Sequence, residues 1–168
     1  MLELDAEAIY FELARRVRER VHGRTPRLVG VHTGGVWLAE RLRADLHIEV
    51  SVGILDVSFY RDDFSQAGLA RGVRPSRIPF DVDGADILLV DDVLNTGRTV
   101  RAAMNELFDY GRPERIELAV LIDRGGRELP ISTTLVGRTI EVPRDVSVVL
   151  SRDDDGRLHL RLEEDLGR

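Results

Sequence analysis

The stretch ILLVDDVLNTGRTV, residues 87–100, passes without a break from an apolar strand to two adjacent acids and then to a small polar turn. Its first five residues are what a buried strand of a parallel sheet looks like. Asp91 and Asp92 follow where such a strand should end, at a place where like charges repel and burial is costly. In open α/β sheets this is also where ligands bind, because the carboxyl ends of strands feed the N-termini of helices. The turn Asn95-Thr96-Gly97-Arg98-Thr99 lets backbone N–H groups of the next helix approach an anion and adds two hydroxyl donors, so it suits a phosphate monoester. The acids cannot hold a phosphate. They can accept hydrogen bonds from vicinal hydroxyls and hold Mg²⁺ directly or through water. Phosphate donors beside hydroxyl acceptors describe a ribose 5-phosphate site.

Working outward, the same alternation of strand and helix recurs. Ile9, Leu13, Val17 and Val21 recur at spacing four between charges, which predicts an amphipathic helix with Asp5 as its N-cap. RLVGV, 27–31, reads as a short buried strand, HTGG, 32–35, as a glycine turn and VWLAERLRAD as a second helix. IEVSVGILDVSFY, 48–60, is a long β-rich run. The stretch 61–77 has almost no apolar content and no period, and reads as a mobile lid or binding loop. After the acids a helix carries Val100, Ala103, Met104 and Leu107 on one face and stops at Gly111, with Pro113 beyond; RIELAVLID, 115–123, is the next strand. VSVVL and LHLRL flank an Asp155-Gly156 hairpin turn. Strands alternating with helices predict an α/β fold, a mainly parallel sheet with helices on both faces.

Composition narrows the function. The 168 residues are 43% hydrophobic, enough for the core of one domain. No stretch approaches the roughly 18 apolar residues of a membrane span. The start MLELDAEAIY lacks the basic then apolar pattern of a signal peptide, so the expected location is cytoplasmic. There is no cysteine, and the four histidines are scattered, which argues against a zinc site. Thirty acids against 24 basic residues give a net charge of −6, opposite to the footprint of a general DNA or RNA binder.

ILLVDDVLNTGRT resembles the signature of the type I phosphoribosyltransferases, and with LDVSFYRDDFS, DYGRP and LAVLIDRGGRELPI the chain is similar to the bifunctional pyrimidine-operon regulator and uracil phosphoribosyltransferase (PyrR) family over most of residues 4–140. The resemblance implies one phosphoribosyltransferase domain over 1–168, with a hood from about 123–168 plus the first helix. It implies transfer of a phosphoribosyl group from phosphoribosyl pyrophosphate to uracil, giving UMP, with Mg²⁺. Asp91 and Asp92 would hold the ribose and, indirectly, the metal; Asn95, Thr96, Gly97, Arg98 and Thr99 the 5-phosphate; Thr33, Gly34 and Gly35 the pyrophosphate. Many members carry arginine where Gly34 stands, so Arg61 or another loop arginine would supply the positive contact.

Backbone groups near Asp123, Arg124 and Ile131 would read the base. His32, Trp37 and Asp56 are assigned structural roles, His32 as a neighbour of the pyrophosphate turn. The resemblance also implies a homodimer or higher oligomer. Regulation through an mRNA leader would use Arg15, Arg18, Arg124 and Arg127. Two other readings stay open: an RNA-binding attenuator that senses UMP or UTP with little catalysis, and a 6-oxopurine phosphoribosyltransferase. Asn95 argues against the latter, since purine-using relatives usually carry an acid there.

Overall fold

The structure, a computed structural model, describes residues 4–58 and 76–165. Arg61, the YRDD motif and nearly all of the expected mobile loop lie outside them. Helix α1 (Ala6–Arg20) begins at Asp5, whose carboxylate accepts a hydrogen bond from Ala8 N at 3.0 Å, and buries Ile9, Leu13 and Val17 as their spacing requires. It is followed by β1 (Arg27–Val31), α2 (Gly34–Asp45), β2 (Gly53–Leu55), β3 (Asp86–Leu94), α3 (Arg98–Tyr110), β4 (Arg115–Asp123), β5 (Leu135–Thr139) and the strands β6 (Val146–Arg152) and β7 (Leu158–Glu164).

Five strands form one parallel sheet in the order β2-β1-β3-β4-β5, and β6 and β7 form a separate antiparallel hairpin. Strand alternation sorts the apolar side chains into two layers. Leu28, Leu88, Val90, Ala119 and Leu121 pack with Leu13 and Val17 of α1 and with Leu38 and Leu42 of α2. Val29, Val31, Ile87, Leu89 and Val120 pack on the other face with Val100, Ala103 and Leu107 of α3. The chain leaves β1 toward β2 on one side and leaves β3 toward β4 on the other, so the order reverses between β1 and β3. Open α/β sheets place their ligand crevice at such a switch point.

Three expectations need correction. Among its described residues, 48–58, the β-rich run yields a three-residue strand, Gly53–Leu55, with an isolated bridge from Ile54 to Arg77. β3 does not stop before the acids: it runs through them to Leu94 and stays paired with β4 as far as Asp123. The stretch expected to be hood contributes β5 to the main sheet, leaving the hairpin as the separate piece. β5 was hidden by Gly137, which weakens a strand pattern; a side chain there would meet Leu121 O at 2.6 Å and the Ile9 side chain at 2.7 Å, so the glycine admits α1 onto the sheet. No helix among the described residues is long and apolar enough to cross a membrane.

The hairpin shares no strand pairing with the main sheet, and a lone hairpin is marginal in water. It is held by Leu150 and Leu158, buried in the α1 and α2 layer, and by Glu7. The Glu7 carboxylate accepts from Arg41 of α2 at 2.6 Å and from Leu158 N of β7 at 2.8 Å, joining three elements. The Arg41 guanidinium holds the Glu7 carboxyl below its ordinary range, with burial opposing and the Leu158 amide assisting.

The start of α2 lies directly on β3. A Cβ at Gly35 would stand inside contact distance of Val90 O, backbone against backbone, where no rotamer change gives relief. Gly35→Ala would gain up to about 1 kcal/mol in helix propensity and lose about 2–3 kcal/mol to overpacking. We expect a net loss of stability in urea unfolding, against little change for the exposed Glu40→Ala in the same helix.

Candidate active site

At the switch point, the carboxyl ends of β1 and β3 frame a cleft of about 310 Å³, within the range of small-molecule sites. Thr33 and Gly34 of the glycine turn form one side, and Asn95 and Thr99 of the polar turn form another. Asp92 lies between them. A Cβ at Gly34 would collide with the Asp92 carboxylate, so the absence of a side chain at 34 lets the turn rest against the acid.

The two acids differ in burial and in what they touch. Asp92 lines the cleft beside Gly34, at the start of α2. Asp91 is buried, 4% exposed; its carboxylate accepts from Asp92 N at 2.9 Å. Asp92 in turn accepts from Val93 N at 2.8 Å, which fixes its carboxylate at the strand edge.

Gly97, at the N-cap of α3, has φ +94°, a left-handed conformation that glycine adopts without strain. It places Thr96 so that its hydroxyl accepts from Arg98 N at 3.2 Å, and Thr96 O accepts from the amides of Glu128 and Leu129 at 2.9 and 3.1 Å. The loop after β4 is thereby folded down onto the turn. Arg127 fastens it: its guanidinium donates to Ile131 O at 2.8 Å, to Asn95 O at 2.9 Å and to the Asp123 carboxylate at 2.5 Å. Burial pushes the Asp123 carboxyl up, but the Arg127 bond and charge together with the Gly125 amide outweigh it, so its net position is below 3.8.

This fastening decides which side chains of the loop reach the cleft. Ile131 packs against Gly97 and lines a different groove, beside Met104 and Leu118, while the Asp123 carboxylate is committed to Arg127 and Gly125 N. Of the hood residues named from sequence, only Arg124 borders the cleft. The wall facing it was missed: Ser147, Val148, Val149 and Leu150 of β6, together with Trp37 and Val93. Trp37, given a structural role from sequence, stands one helical turn after Thr33 and so shares its face. The β6 wall could not be found from sequence, because nothing local in VSVVL says which sheet or cleft it will border.

Gly35 serves packing rather than the cleft, and Arg98 is exposed and paired with Glu128 at 3.0 Å. Of the four arginines assigned to RNA, Arg15 is bonded to Glu12 and Glu19, each at 2.7 Å, and Arg124 and Arg127 are turned inward onto backbone carbonyls. Arg18 is exposed on α1. Among the described residues no group of three His, Cys, Asp or Glu could cage a metal ion.

Residues 4–153 match the family model described as the phosphoribosyl transferase domain, and the chain is 55% identical over 138 residues to the bifunctional protein PyrR of Pseudomonas aeruginosa, covering 82% of this chain and 78% of that one. The chain belongs to the PyrR family of phosphoribosyltransferases. PyrR of Ralstonia nicotianae is 48% identical over 158 residues, covering 92% and 90%. The fold extends to distant structures. A hypoxanthine-guanine phosphoribosyltransferase of Bacillus anthracis superposes with a TM-score of 0.65 at 17% identity over 83% of each chain, and the hypoxanthine phosphoribosyltransferase of Trypanosoma cruzi with 0.64 at 22% over 93% of each. In this PyrR-family chain the matched region includes every cleft residue named above, because all of them lie between 33 and 150.

Arg127→Ala removes the donor for three acceptors at once, and we expect a loss of about 2 kcal/mol in unfolding free energy. The Asp123 half of that bond has a pH signature. A carboxyl whose folded value is depressed stabilises the fold above its unfolded value and loses that contribution as pH falls through the folded one. The stability gap between wild type and Asp123→Asn should therefore be constant above pH 3.8 and close on further acidification, as read by urea melts at stepped pH.

Proposed function

We propose that the protein is a uracil phosphoribosyltransferase that forms UMP and pyrophosphate from uracil and phosphoribosyl pyrophosphate. The observation that carries this reading is Asp92, a fixed hydroxyl acceptor between the Thr33-Gly34 turn on one side and the Asn95 to Thr99 turn on the other. That separation suits a sugar bearing a phosphate at one end and a diphosphate at the other. The 5-phosphate would lie on the N-terminus of α3 with the Thr96 and Thr99 hydroxyls, the vicinal ribose hydroxyls on Asp92, and the diphosphate on the Thr33 and Gly34 backbone. Asp91, buried beneath, acts on Asp92 by accepting its N–H.

The reaction breaks the bond between C1′ and the diphosphate oxygen, forms the bond from C1′ to N1 of uracil, and releases the N1 proton. Its sugar is oxocarbenium-like at the barrier, so no nucleophilic side chain is needed. Holding donor and acceptor in line and excluding water supply most of the acceleration. Asp92 also places negative charge beside the cationic ring. Mg²⁺, bound chiefly by the substrate's own oxygens with Asp92 as nearby hard donor, would neutralise the leaving diphosphate. Asn95 cannot act as a general base, which favours a pyrimidine over a 6-oxopurine acceptor.

The test is a panel of uracil, hypoxanthine and guanine with phosphoribosyl pyrophosphate and Mg²⁺, following nucleotide formation. UMP should dominate; formation of IMP or GMP without UMP would overturn the assignment. Asp92→Asn should lower kcat/KM by about 10²–10³-fold with unfolding little changed, whereas Asp91→Asn should act on stability as well because Asp91 is buried.

RNA regulation is our second reading, favoured by the exposed arginine of α1. Arg18 can contact phosphates, which position RNA without reading its sequence. Against a net charge of −6 such binding should be weak and steeply dependent on salt. Arg18→Ala should lower the slope of log affinity against log salt by about 1, measured by titration of a pyrimidine-operon leader RNA beside a scrambled one. A tight preference for the leader, strengthened by UMP at about 0.15 M salt, would place regulation ahead of catalysis.

A further inference from the structure

Arg124 leaves the end of β4 and reaches the first residues of the hairpin. Its guanidinium donates to Val146 O at 2.5 Å and to Pro143 O at 2.9 Å, one fork spanning two carbonyls three residues apart. Pro143 O also accepts from Val146 N at 3.1 Å, so the guanidinium closes over a turn that is already formed. The next residues, Ser147 to Leu150, are the wall of the cleft. Because β6 and β7 pair only with each other, no strand ladder sets where this wall stands relative to β3. Glu7 anchors the hairpin at the start of β7, the end away from Val146. At the start of β6, Arg124 is the bond that ties the wall to the main sheet.

The bond is a poor one for stability alone. Among the described residues no carboxylate pairs with the half-buried Arg124, and its Nε is buried without a partner. An uncompensated, partly desolvated cation costs free energy that a neutral donor or an apolar contact would not. What arginine provides that a neutral residue does not is a planar fork that holds two carbonyls at a fixed spacing. From this geometry we propose that Arg124 is a positioning residue that fixes the width of the cleft on its β6 side, and through it the choice of a one-ring over a two-ring base. The inference rests on the cleft being the phosphoribosyl-transfer site.

The test compares wild type, Arg124→Gln and Arg124→Lys in steady-state kinetics with uracil and with hypoxanthine, phosphoribosyl pyrophosphate being varied in turn, and thermal melts run alongside. In Arg124→Gln the KM for uracil should rise about tenfold or more, equivalent to about 1.4 kcal/mol, while the KM for phosphoribosyl pyrophosphate stays within about twofold. The ratio of kcat/KM for hypoxanthine over uracil should rise by a similar factor. Arg124→Lys keeps a charge but can reach only one carbonyl at a time, and should fall between.

A uniform loss toward both substrates with an unchanged base ratio would make Arg124 a merely structural brace and overturn the proposal. Unchanged kinetics in both variants would do the same. If wild type makes UMP and the variants keep its base ratio, this inference alone is wrong. If wild type makes no UMP, the reading of the cleft fails and this inference fails with it.

Discussion

The close approach of α2 to β3 is the constraint on which the site depends. A strand and a helix normally stand about 10 Å apart because side chains separate them. Here the helix starts on glycine. Gly35 packs backbone to backbone on Val90 O, and Gly30 of β1 leaves room for Val36, whose Cα lies 2.6 Å from where a Cβ would be. With those separations removed, Thr33 and Gly34 come to rest beside Asp92. The crevice at the switch point is then narrow enough for one ligand to touch both β1 and β3. Replacing either packing glycine would widen it before any cleft residue had changed.

A second constraint acts on the far side. The loop after β4 is bound to the polar turn through Thr96 O and Arg127, so the N-terminus of α3 carries a cover that is part of the same hydrogen-bonded unit. A single guanidinium, that of Arg127, joins the loop to the turn and to the end of β4 by donating to Ile131 O, Asn95 O and the Asp123 carboxylate. Arginines elsewhere show the same economy. Arg24 binds Asp86 at 2.9 Å and Glu117 at 3.3 Å, and Arg15 and Arg16 both hold Glu12, whose carboxyl they depress to about 2. Several of the described arginines are thus committed within the fold, and a basic surface cannot be inferred from the number of basic residues alone.

What was legible in the sequence was what local pattern encodes. β4 was bounded correctly at 115–123, and α3 ends where its apolar stripe meets Gly111, because four apolar positions on one face and a terminal glycine leave little freedom. Thr33, Gly34, Asp92, Asn95 and Thr99, named from sequence, are brought together at one cleft, since a strand followed by a small polar turn is a sequence-local event. What was not legible was mostly non-local. β5 has a glycine that only the packing of α1 explains. The β6 wall faces the cleft because Arg124 and Glu7 hold it there, from 22 and 151 residues away in sequence. Resemblance implies a base-reading role for backbone groups near Asp123 and Ile131, and which of their atoms Arg127 takes, the Asp123 carboxylate and Ile131 O, is visible only in the fold.

The pairing of two acids, which first marks the sequence as unusual, is resolved by the same geometry. The two carboxylates differ in setting: Asp92 lines the cleft, while Asp91 is buried, so the chief cost is that of burying Asp91. That cost is offset by hydrogen bonds, among them the one from Asp92 N, and so the buried acid fixes the backbone of its half-buried neighbour. Extending β3 to Leu94 is what makes this possible: had the strand stopped before Asp91, both side chains would be free to turn to solvent. A strand carried through its own functional residues gives them the rigidity of the sheet, at the one point in the fold where the sheet opens to a ligand.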